Sequence, residues 1–347
     1  MSQQRDNAAG KNHFPRVRLA EVAALASVDV STVSRIVNGD PNQVARPETR
    51  QRIYDAVVEL GYRPNVVARS LRRSTNDMYG LVIPDFSNPI YAQIIMGAET
   101  RAMAMGKHLF TSSAVDLGSE GYLELLGTGR IDGLLVSGET ADVHEKLDRA
   151  RVPWLFLNRR SPHRPRYVVL DDVGAARIAV GHLLQLGHER IAHISGPPTA
   201  DTARRRKAGY VEEMNAAGWR PTKQDVIPSD YTNAGGANAM RQLAGSRRHF
   251  TAVFVASVAS AIGVLWCAQH IGLRVPEDLS VIAIHDLPLA SFLVPPLTTV
   301  RMPIAELGQR GVEILVAQPA GAVVEEIVSA PMELIVRAST GPVGKLH

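Results

Sequence analysis

From residue 78 onward the chain alternates short apolar runs with amphipathic stretches, and this alternation limits the possible folds more than any other feature. Regular alternation of strands and helices predicts parallel sheets with helices on both faces. The pattern divides into two sets near Leu170–Asp172, so we predict an α/β fold with two doubly wound subdomains. The predicted strands are Tyr79–Ile83, Leu109–Ser112, Gly133–Val136, Trp154–Leu157, Arg190–Ile194, Ala252–Ala256 and Val281–Ile284. The predicted helices include Pro89–Met105, Ala175–Leu186, Lys207–Ala217 and Ala259–Ile271.

The length of 347 residues suits about two globular domains with a small third unit. A chain with 45% hydrophobic and 21% charged residues is not a wholly disordered protein. No apolar run approaches the roughly 18 residues that cross a bilayer, and the first 15 residues lack the apolar stretch of a secretory signal. The single cysteine, Cys267, leaves no internal disulfide and no thiolate cluster for a metal. We therefore predict a cytoplasmic protein with a disordered tail over residues 1–15.

The positive charge of the chain is concentrated in its first fifth. Residues 1–75 contain 12 Lys and Arg against 7 Asp and Glu, whereas residues 76–347 contain 26 against 27. The net charge of +4 is thus +5 at the head and −1 in the body. Such asymmetry favours a nucleic-acid-binding head on a neutral body, although a solvated basic tail has the same composition.

Three short helices are predicted within residues 16–62. The first covers Leu19–Ala26, which has apolar residues at helical spacing. After a short turn, Asp29 is a predicted N-cap for a second helix that ends at Gly39. A third helix begins near Pro47 and ends at Gly61. Two helices joined by a three-residue turn and closed by a third are typical of a helix-turn-helix DNA-binding domain, with an ordinary three-helix bundle as the alternative.

The stretches VSTVSRIVNG and ELGYRPNVVARSL resemble the LacI/GalR family of bacterial transcription regulators, and the resemblance continues along nearly the whole chain. It implies that Val30, Ser31 and Arg35 read base edges. Arg35 suits guanine, because its guanidinium can donate to both O6 and N7. Arg18 and Arg46 replace short hydroxyl residues and are expected to add phosphate contacts. The residues matched to positions near the DNA backbone are Leu19, Thr32, Ser34, Asn38 and Thr49.

Residues 63–76 are predicted to be a hinge helix and linker, in which Pro64–Leu71 matches the hinge helix of the family and is too short to be stable alone in water. The resemblance implies that two copies fold together over the minor groove, with Leu71 as an apolar wedge between base pairs. Other hinge residues expected at the DNA are Asn65, Ala68 and Arg69. Off DNA we expect this segment to be a flexible linker.

The resemblance implies that residues 77–340 form an effector-binding and dimerisation domain with the fold of periplasmic binding proteins. The first subdomain is expected at about 77–171 and 300–330, and the second at about 172–299 and 331–340, with 295–300 crossing back to the first. An effector would bind in the cleft between them, at the carboxyl ends of the strands. The residues matched to effector positions are Ile90, Tyr91, Asn158, Arg206, Tyr231, Ser257 and His285. Arg204 and Arg205 are interpreted as a solvated helix face.

The cleft departs from the pattern of the sugar-binding family members at three positions. The usual Asn and Asp after one strand are Ser257 and Val258, and the first Asp of a later pair is His285. These changes make the cleft less negative while Arg206 adds positive charge, which favours a carboxylate- or phosphate-bearing metabolite. A sugar, a sugar derivative, a nucleoside or no effector stay open, and His285 could instead be a packed structural histidine.

The sequence gives little support to an enzyme. It contains no G-x-S-x-G elbow, no P-loop, no G-x-G-x-x-G after a strand and no zinc-site spacing. A transport-type binding protein would not carry the predicted helix-turn-helix. We therefore predict a transcriptional repressor without cofactor or metal that binds a palindromic operator as a homodimer and responds to a small molecule. Induction and corepression both remain possible.

Overall fold

The computed structural model describes residues 17–38, 43–62, 76–115, 121, 124, 127, 129–138, 147, 152–160, 165–246, 248–318 and 321–343. The chain forms two compact units, Met1–Asn76 and Asp77–His347. The predicted tail over residues 1–15, the predicted helix stop at Gly39 and the hinge residues 63–75 lie outside the described residues.

The three predicted helices of the first unit are confirmed. They are α1 (Leu19–Ala26), α2 (Val30–Val37) and α3 (Pro47–Leu60). Pro47 occupies the first turn of α3, and Gly61 ends it in the left-handed region with a φ of 62°. Asp29 precedes α2 but its side chain makes no capping hydrogen bond. The buried core of the unit consists of Val22, Ala23, Ala26, Val33, Ile36, Ile53 and Ala56.

The second unit contains two parallel sheets, as predicted. The strands in its described part are β1 (Met78–Ile83), β2 (His108–Ser113), β3 (Gly133–Val136), β4 (Trp154–Leu157), β5 (Arg166–Val169), β6 (Ile191–Ser195), β7 (Val226–Pro228), β8 (Ala252–Val255), β9 (Ser280–Ile284), β10 (Thr298–Arg301), β11 (Val324–Ile327) and β12 (Glu333–Ile335). The first sheet has the order β11-β5-β4-β3-β1-β2 and the second the order β12-β10-β9-β8-β6-β7. All pairings are parallel except that of β10 with β12.

Helices cover both faces of the second sheet. The α-helices whose bounds the structure describes in the second unit are α4 (Ile90–Ala104), α5 (Asp172–Gln185), α6 (Asp201–Ala216), α7 (Asn233–Ala244), α8 (Val258–His270) and α9 (Ile304–Ala317). Neighbouring strand residues point to opposite faces. Accordingly Phe254 and Ile282 pack in the core that includes residues of α5 and α6. Val253 and Val281 pack in a separate core with α7 and α8.

The return of the chain to the first sheet comes later than predicted. Residues 295–300 do not cross back, because β10 pairs with β9 in the second sheet. The chain returns instead through α9, which packs against α4 of the first subdomain. The predicted strands also omit β5, β7, β10, β11 and β12. β7 and β12 have only three residues each, and β11 alternates half-buried with exposed residues, so none of the three shows a buried apolar run.

The contact between α4 and α9 depends on glycine. A Cβ atom on Gly308 would lie 2.1 Å from the carbonyl oxygen of Ile94, and one on Gly97 would lie 2.0 Å from that of Ala305. Both neighbours are backbone atoms, so a side chain at either position would force the helices apart.

Among the helices of the described residues, none has the length and apolar character that a membrane crossing needs.

We predict that Gly308→Ala lowers the free energy of unfolding by about 1–3 kcal/mol, the usual cost of overpacking. Denaturant unfolding followed by circular dichroism measures the change. Gly181→Ala is the matched control, since Gly181 also lies in a helix but its added Cβ would meet only the flexible carboxylate of Glu213 at 3.3 Å. The control should unfold at the same or higher denaturant concentration. Equal stability of the two variants would contradict the close packing of α4 and α9.

Candidate DNA-binding surface and ligand cleft

The second helix of the head presents a polar face to solvent. Val33 and Ile36 of α2 are buried, whereas Val30, Ser31 and Arg35 are exposed. The three residues predicted to read bases are therefore away from the core of the head. This is the arrangement in which a recognition helix can enter a major groove.

The polar side chains around α2 differ in how far they are already hydrogen-bonded. The Arg35 guanidinium donates to the Gln43 side chain at 3.3 Å. The Asn38 amide donates to the Ser34 carbonyl oxygen at 2.6 Å. Arg18 and Arg46 are exposed. The other residues predicted to lie near phosphates are half-buried: Leu19, Thr32, Ser34, Asn38 and Thr49. The predicted contacts of Asn65, Ala68, Arg69 and Leu71 lie outside the described residues.

A cavity of about 310 Å³ lies between the two sheets of the second unit. From the first subdomain it is lined by the loop after β1, by Tyr91 of α4 and by Asn158 after β4. From the second it is lined by the loops after β6 and β7 and by Thr202 near the start of α6. These loops follow the carboxyl ends of parallel strands, where ligands bind in such folds. The cavity is the predicted cleft, which we call the ligand cleft.

Three of the predicted effector residues, Tyr91, Asn158 and Tyr231, line the ligand cleft together. Tyr231 has a φ of 66°, and its hydroxyl lies 3.0 Å from that of Thr202. Its ring lies so close to Gly196 that a Cβ there would be 2.1 Å from the ring atom Cζ. The glycine after β6 thus makes room for the aromatic side chain.

Asn158 is the best candidate in the cleft for hydrogen bonding to a ligand. It has a φ of 62°, a conformation that asparagine adopts more readily than most residues. The residue is only 6% exposed, and its Oδ1 atom has no hydrogen-bond partner among the described residues. A buried acceptor without a donor is costly. A ligand N–H or O–H group placed against Oδ1 would remove that cost.

Arg206 is committed to other protein groups and does not line the cleft. It is 3% exposed, and its Nε donates to Asp172 at 2.6 Å. One terminal nitrogen donates to the Ala256 carbonyl oxygen and the other to Nε2 of His285 at 2.9 Å. The guanidinium also lies 5.8 Å from the ring centroid of Tyr231. Arg206, which was predicted to contact an effector, thus lies beneath the cleft wall, behind Tyr231.

His285 is a neutral, buried hydrogen-bond acceptor. An arginine can only donate, so the Nε2 atom facing Arg206 must carry no proton. Burial and the neighbouring positive charge hold the pKa of His285 well below its usual range. Its Nδ1 atom has no hydrogen-bond partner among the described residues. The structural interpretation of His285 therefore fits its surroundings.

The remaining two predicted effector residues are also placed in the protein interior. Ile90 is 5% exposed and packs in the hydrophobic core at the start of α4. The Ser257 hydroxyl accepts from the Ser260 backbone N–H at 3.2 Å and so caps α8. Neither residue is among those of the described chain that line the ligand cleft.

Asp172 and its partners connect the two subdomains. Arg205 is paired with Asp172 at 2.8 Å and with Asp201 at 3.0 Å, and it donates to the Leu170 carbonyl oxygen at 2.8 Å. Asp201 in turn accepts from the backbone N–H of Arg160 in the first subdomain at 2.9 Å. We call Asp172, Arg205, Arg206 and Asp201 the buried charge network.

The interpretation of Arg205 as part of a solvated face is wrong. Arg205 is 6% exposed, whereas Arg204 is on the exposed side of α6. The reason is that α6 begins at Asp201 and not at Lys207, which places Arg205 one turn after Asp201 and directed at Asp172. Two oppositely charged residues four apart are the signal that could have revealed this pairing.

Among the described residues, no cluster of His, Cys, Asp and Glu is suited to a metal ion.

A three-helix head with an exposed second helix, followed by two parallel-sheet subdomains around a cleft, defines a DNA-binding regulator with a ligand-binding domain. Comparison with known proteins agrees. The family model described as bacterial regulatory proteins of the lacI family matches residues 18–65, and that for a periplasmic binding protein-like domain matches residues 180–340. Catabolite control protein A of Priestia megaterium is 33% identical over 332 residues, which cover 93% of this chain and 99% of that protein. The chain belongs to the LacI family of bacterial transcriptional regulators, which are not enzymes.

Two solved structures extend the comparison to the whole fold. The lac repressor dimer bound to operator and the anti-inducer ONPF has a TM-score of 0.82 and 27% identity, covering 94% of this chain and 99% of that one. The CelR regulator in complex with cellobiose has a TM-score of 0.69 and 31% identity, covering 93% of this chain and 100% of that one. The head and both subdomains thus match a single known architecture.

We predict that Asp172→Asn lowers the free energy of unfolding by about 3–5 kcal/mol, because it leaves two buried arginines without their shared carboxylate. Thermal and denaturant unfolding of the full chain measure the loss. Asp278→Asn is the control, since the Asp278 pair with Arg274 is largely exposed and is expected to change stability far less than the buried substitution. Similar stabilities for the two variants would show that the buried charge network does not hold the fold together.

Proposed function

We propose that the protein is a repressor that binds a palindromic operator as a homodimer, and that a small polar molecule in the ligand cleft changes its affinity for DNA. The observation that carries the proposal is the combination of an exposed polar face on α2 with a cleft lined by Asn158, whose Oδ1 is a buried acceptor without a partner among the described residues. The first feature suits sequence recognition and the second suits a ligand. Acting on DNA, the protein would work in the cytoplasm.

The proposed DNA contacts divide into two groups. Val30, Ser31 and Arg35 are exposed on α2 and would reach base edges. Arg18 and Arg46 are exposed cations at the starts of α1 and α3, and would contact phosphates and set the register. The other proposed contacts are Leu19, Thr32, Ser34, Asn38, Thr49 and the hinge residues Asn65, Ala68, Arg69 and Leu71.

A homodimer follows from the small reading surface. One helix reaches only a few base pairs, whereas two heads on a two-fold axis double the site and make it palindromic. The lac repressor relative is a dimer on its operator. We propose the same symmetry here, with the second unit supplying the dimer contact.

The ligand cleft favours a hydroxylated effector over an anionic one. The anionic hypothesis depended on Arg206, whose guanidinium is bonded to Asp172, Ala256 and His285. In its described lining the cleft itself offers the Asn158 acceptor, the hydroxyls of serine, threonine and tyrosine residues, and three carboxylates against a single cation, Arg159. These groups suit the many donors of a sugar or a nucleoside. The relative CelR is seen with cellobiose, a sugar.

The proposed switch is a change in the relation between the two subdomains. The ligand cleft is lined from both sides, so a bound molecule would favour the arrangement in which both sides reach it. The hydrogen bond from the Arg160 backbone to Asp201 spans the same gap. A ligand would therefore act on the contacts that join the subdomains, and its effect on DNA binding is limited by its preference for one arrangement.

We predict that Arg35→Ala relaxes base preference at one position of each half-site, with a loss of about 1–3 kcal/mol in discrimination. Selection of bound sequences followed by titration of single-base variants measures this. Arg18→Ala is the matched control: as a phosphate contact it should weaken all sequences alike and reduce the salt dependence of binding by about one unit of slope. If Arg35→Ala keeps the full base preference, α2 does not read DNA in the proposed way.

We predict that Asn158→Ala weakens effector binding about tenfold, because it removes a buried acceptor from the cleft. Calorimetric titration of the full chain with cellobiose, ribose, cytidine and glucose 6-phosphate identifies the ligand class, and the best ligand is then tested on the variant. Asn215→Ala, an exposed asparagine at the far end of α6, should bind like the unchanged protein. Tight binding of the phosphate ester alone would favour the anionic effector instead.

A further inference from the structure

The second subdomain contains another cavity at the opposite end of its sheet from the ligand cleft. It has a volume of about 410 Å³ and lies at the amino-terminal ends of β6 and β8. Its lining runs from Arg190 before β6, along the last turns of α6, to Phe250 before β8. We call it the basal cavity. The proposed repressor mechanism makes no use of it.

The floor of the basal cavity is apolar and firmly held. Ile191, Tyr210 and Met214 are each at most 3% exposed. The Tyr210 hydroxyl donates to the Ile191 carbonyl oxygen at 2.8 Å, so its polar group is already satisfied. The fully buried ring of Tyr210, which stacks on His193 with 5.2 Å between the ring centroids, closes the floor without exposing a polar group.

Trp219 forms one wall of the cavity and is 38% exposed. Gly218, with a φ of 86°, turns the chain after α6, and the Trp219 backbone N–H donates to the Met214 carbonyl oxygen at 2.9 Å. The next turn is held by Asp225, which accepts from the Thr222 backbone N–H at 2.6 Å and from its hydroxyl at 2.8 Å. The backbone that carries Trp219 is therefore fixed, and its side chain lines the cavity without being fully covered.

The rim of the cavity has an excess of cations. Asp225 is paired with Arg248, which neutralises both groups. Arg190 and Arg220 also line the cavity, are exposed, and form no ion pair among the described residues. Glu189 is the one other carboxylate in the lining. Guanidinium groups bind carboxylates and phosphates in a fork geometry and also stack on aromatic rings.

We propose that the basal cavity is a second ligand site, which binds a planar aromatic ring that carries a carboxylate or a phosphate. The ring stacks on Trp219 over the floor formed by Ile191, Tyr210 and Met214. The anionic group is bound by Arg190 and Arg220 at the rim. The cavity volume is within the range of small-molecule sites, and it is separate from the ligand cleft in its lining residues.

Trp219 provides the reporter for the test. The chain has three tryptophans, so the double variant Trp154→Phe, Trp266→Phe leaves Trp219 as the single indole. This protein is titrated with adenosine 5′-monophosphate and 4-hydroxybenzoate, which are aromatic anions of the phosphate and carboxylate kinds. The two partial probes are adenosine, which carries only the aromatic ring, and ribose 5-phosphate, which carries only the anionic group. We expect saturable quenching by at least one aromatic anion, with a Kd at least about tenfold lower than for either partial probe.

The residues are tested in the same background. Arg220→Ala should raise the Kd about tenfold, whereas Arg241→Ala, an exposed arginine over the ring at position 266 and outside the lining of the basal cavity, should leave it unchanged. Asn158→Ala should also leave it unchanged, because that residue lines the ligand cleft. The proposal is overturned if neither aromatic anion quenches Trp219 saturably at millimolar concentrations, if Arg220→Ala binds with the same Kd, or if quenching is lost in Asn158→Ala.

Discussion

The ion pair between Asp172 and Arg206 is the interaction on which the second unit depends most. Asp172 is fully buried and Arg206 nearly so, and a charge in such a place is tolerated only when it is paired and hydrogen-bonded. Arg206 meets this condition by donating to three elements, at the start of α5 and after β8 and β9. Arg205 adds the Leu170 carbonyl oxygen and Asp201. Through these two arginines the Asp172 carboxylate thus connects the start of α5 to the chain segments that follow β8 and β9 beneath the cleft.

The ligand cleft is built on top of this charge network. Tyr231 lies over the Arg206 guanidinium, and Asp201 of the network accepts a backbone hydrogen bond from the opposite subdomain. The polar groups of this region therefore serve two purposes. Arg206 donates to Nε2 of His285 in the interior, and Asn158, which lines the cleft, keeps a buried oxygen without a partner among the described residues. Of these residues, Asn158 is therefore the one proposed to recognise a ligand.

The difference between the predicted and observed site has a physical cause. Sequence patterns identify which residues are near a cleft, and Tyr91, Asn158 and Tyr231 do line it. They do not reveal which cation is neutralised, since that depends on a carboxylate 34 residues away from Arg206. For the same reason the sequence did not show that Ile90 belongs to the core and not to the cleft. It also did not show that β10 belongs to the second sheet, because its pairing with β9 decides that. Short edge strands such as β7 and β12 lack the apolar run that makes a central strand visible in the sequence.

The sequence by itself determined the architecture: the three-helix head, the basic charge concentrated there, the two parallel sheets and the family. The helices, the strands and the charge distribution arise from local periodicity, helix-ending residues and composition, which act over a few turns of chain. The family is indicated by the resemblance of VSTVSRIVNG and ELGYRPNVVARSL to the LacI/GalR motifs. Only the tertiary structure decided which polar groups pair in the interior and which face the cleft. It also brought Trp219, Arg190 and Arg220 around one apolar floor. Such groupings join residues that are distant in the sequence, so they follow from packing and not from any local pattern.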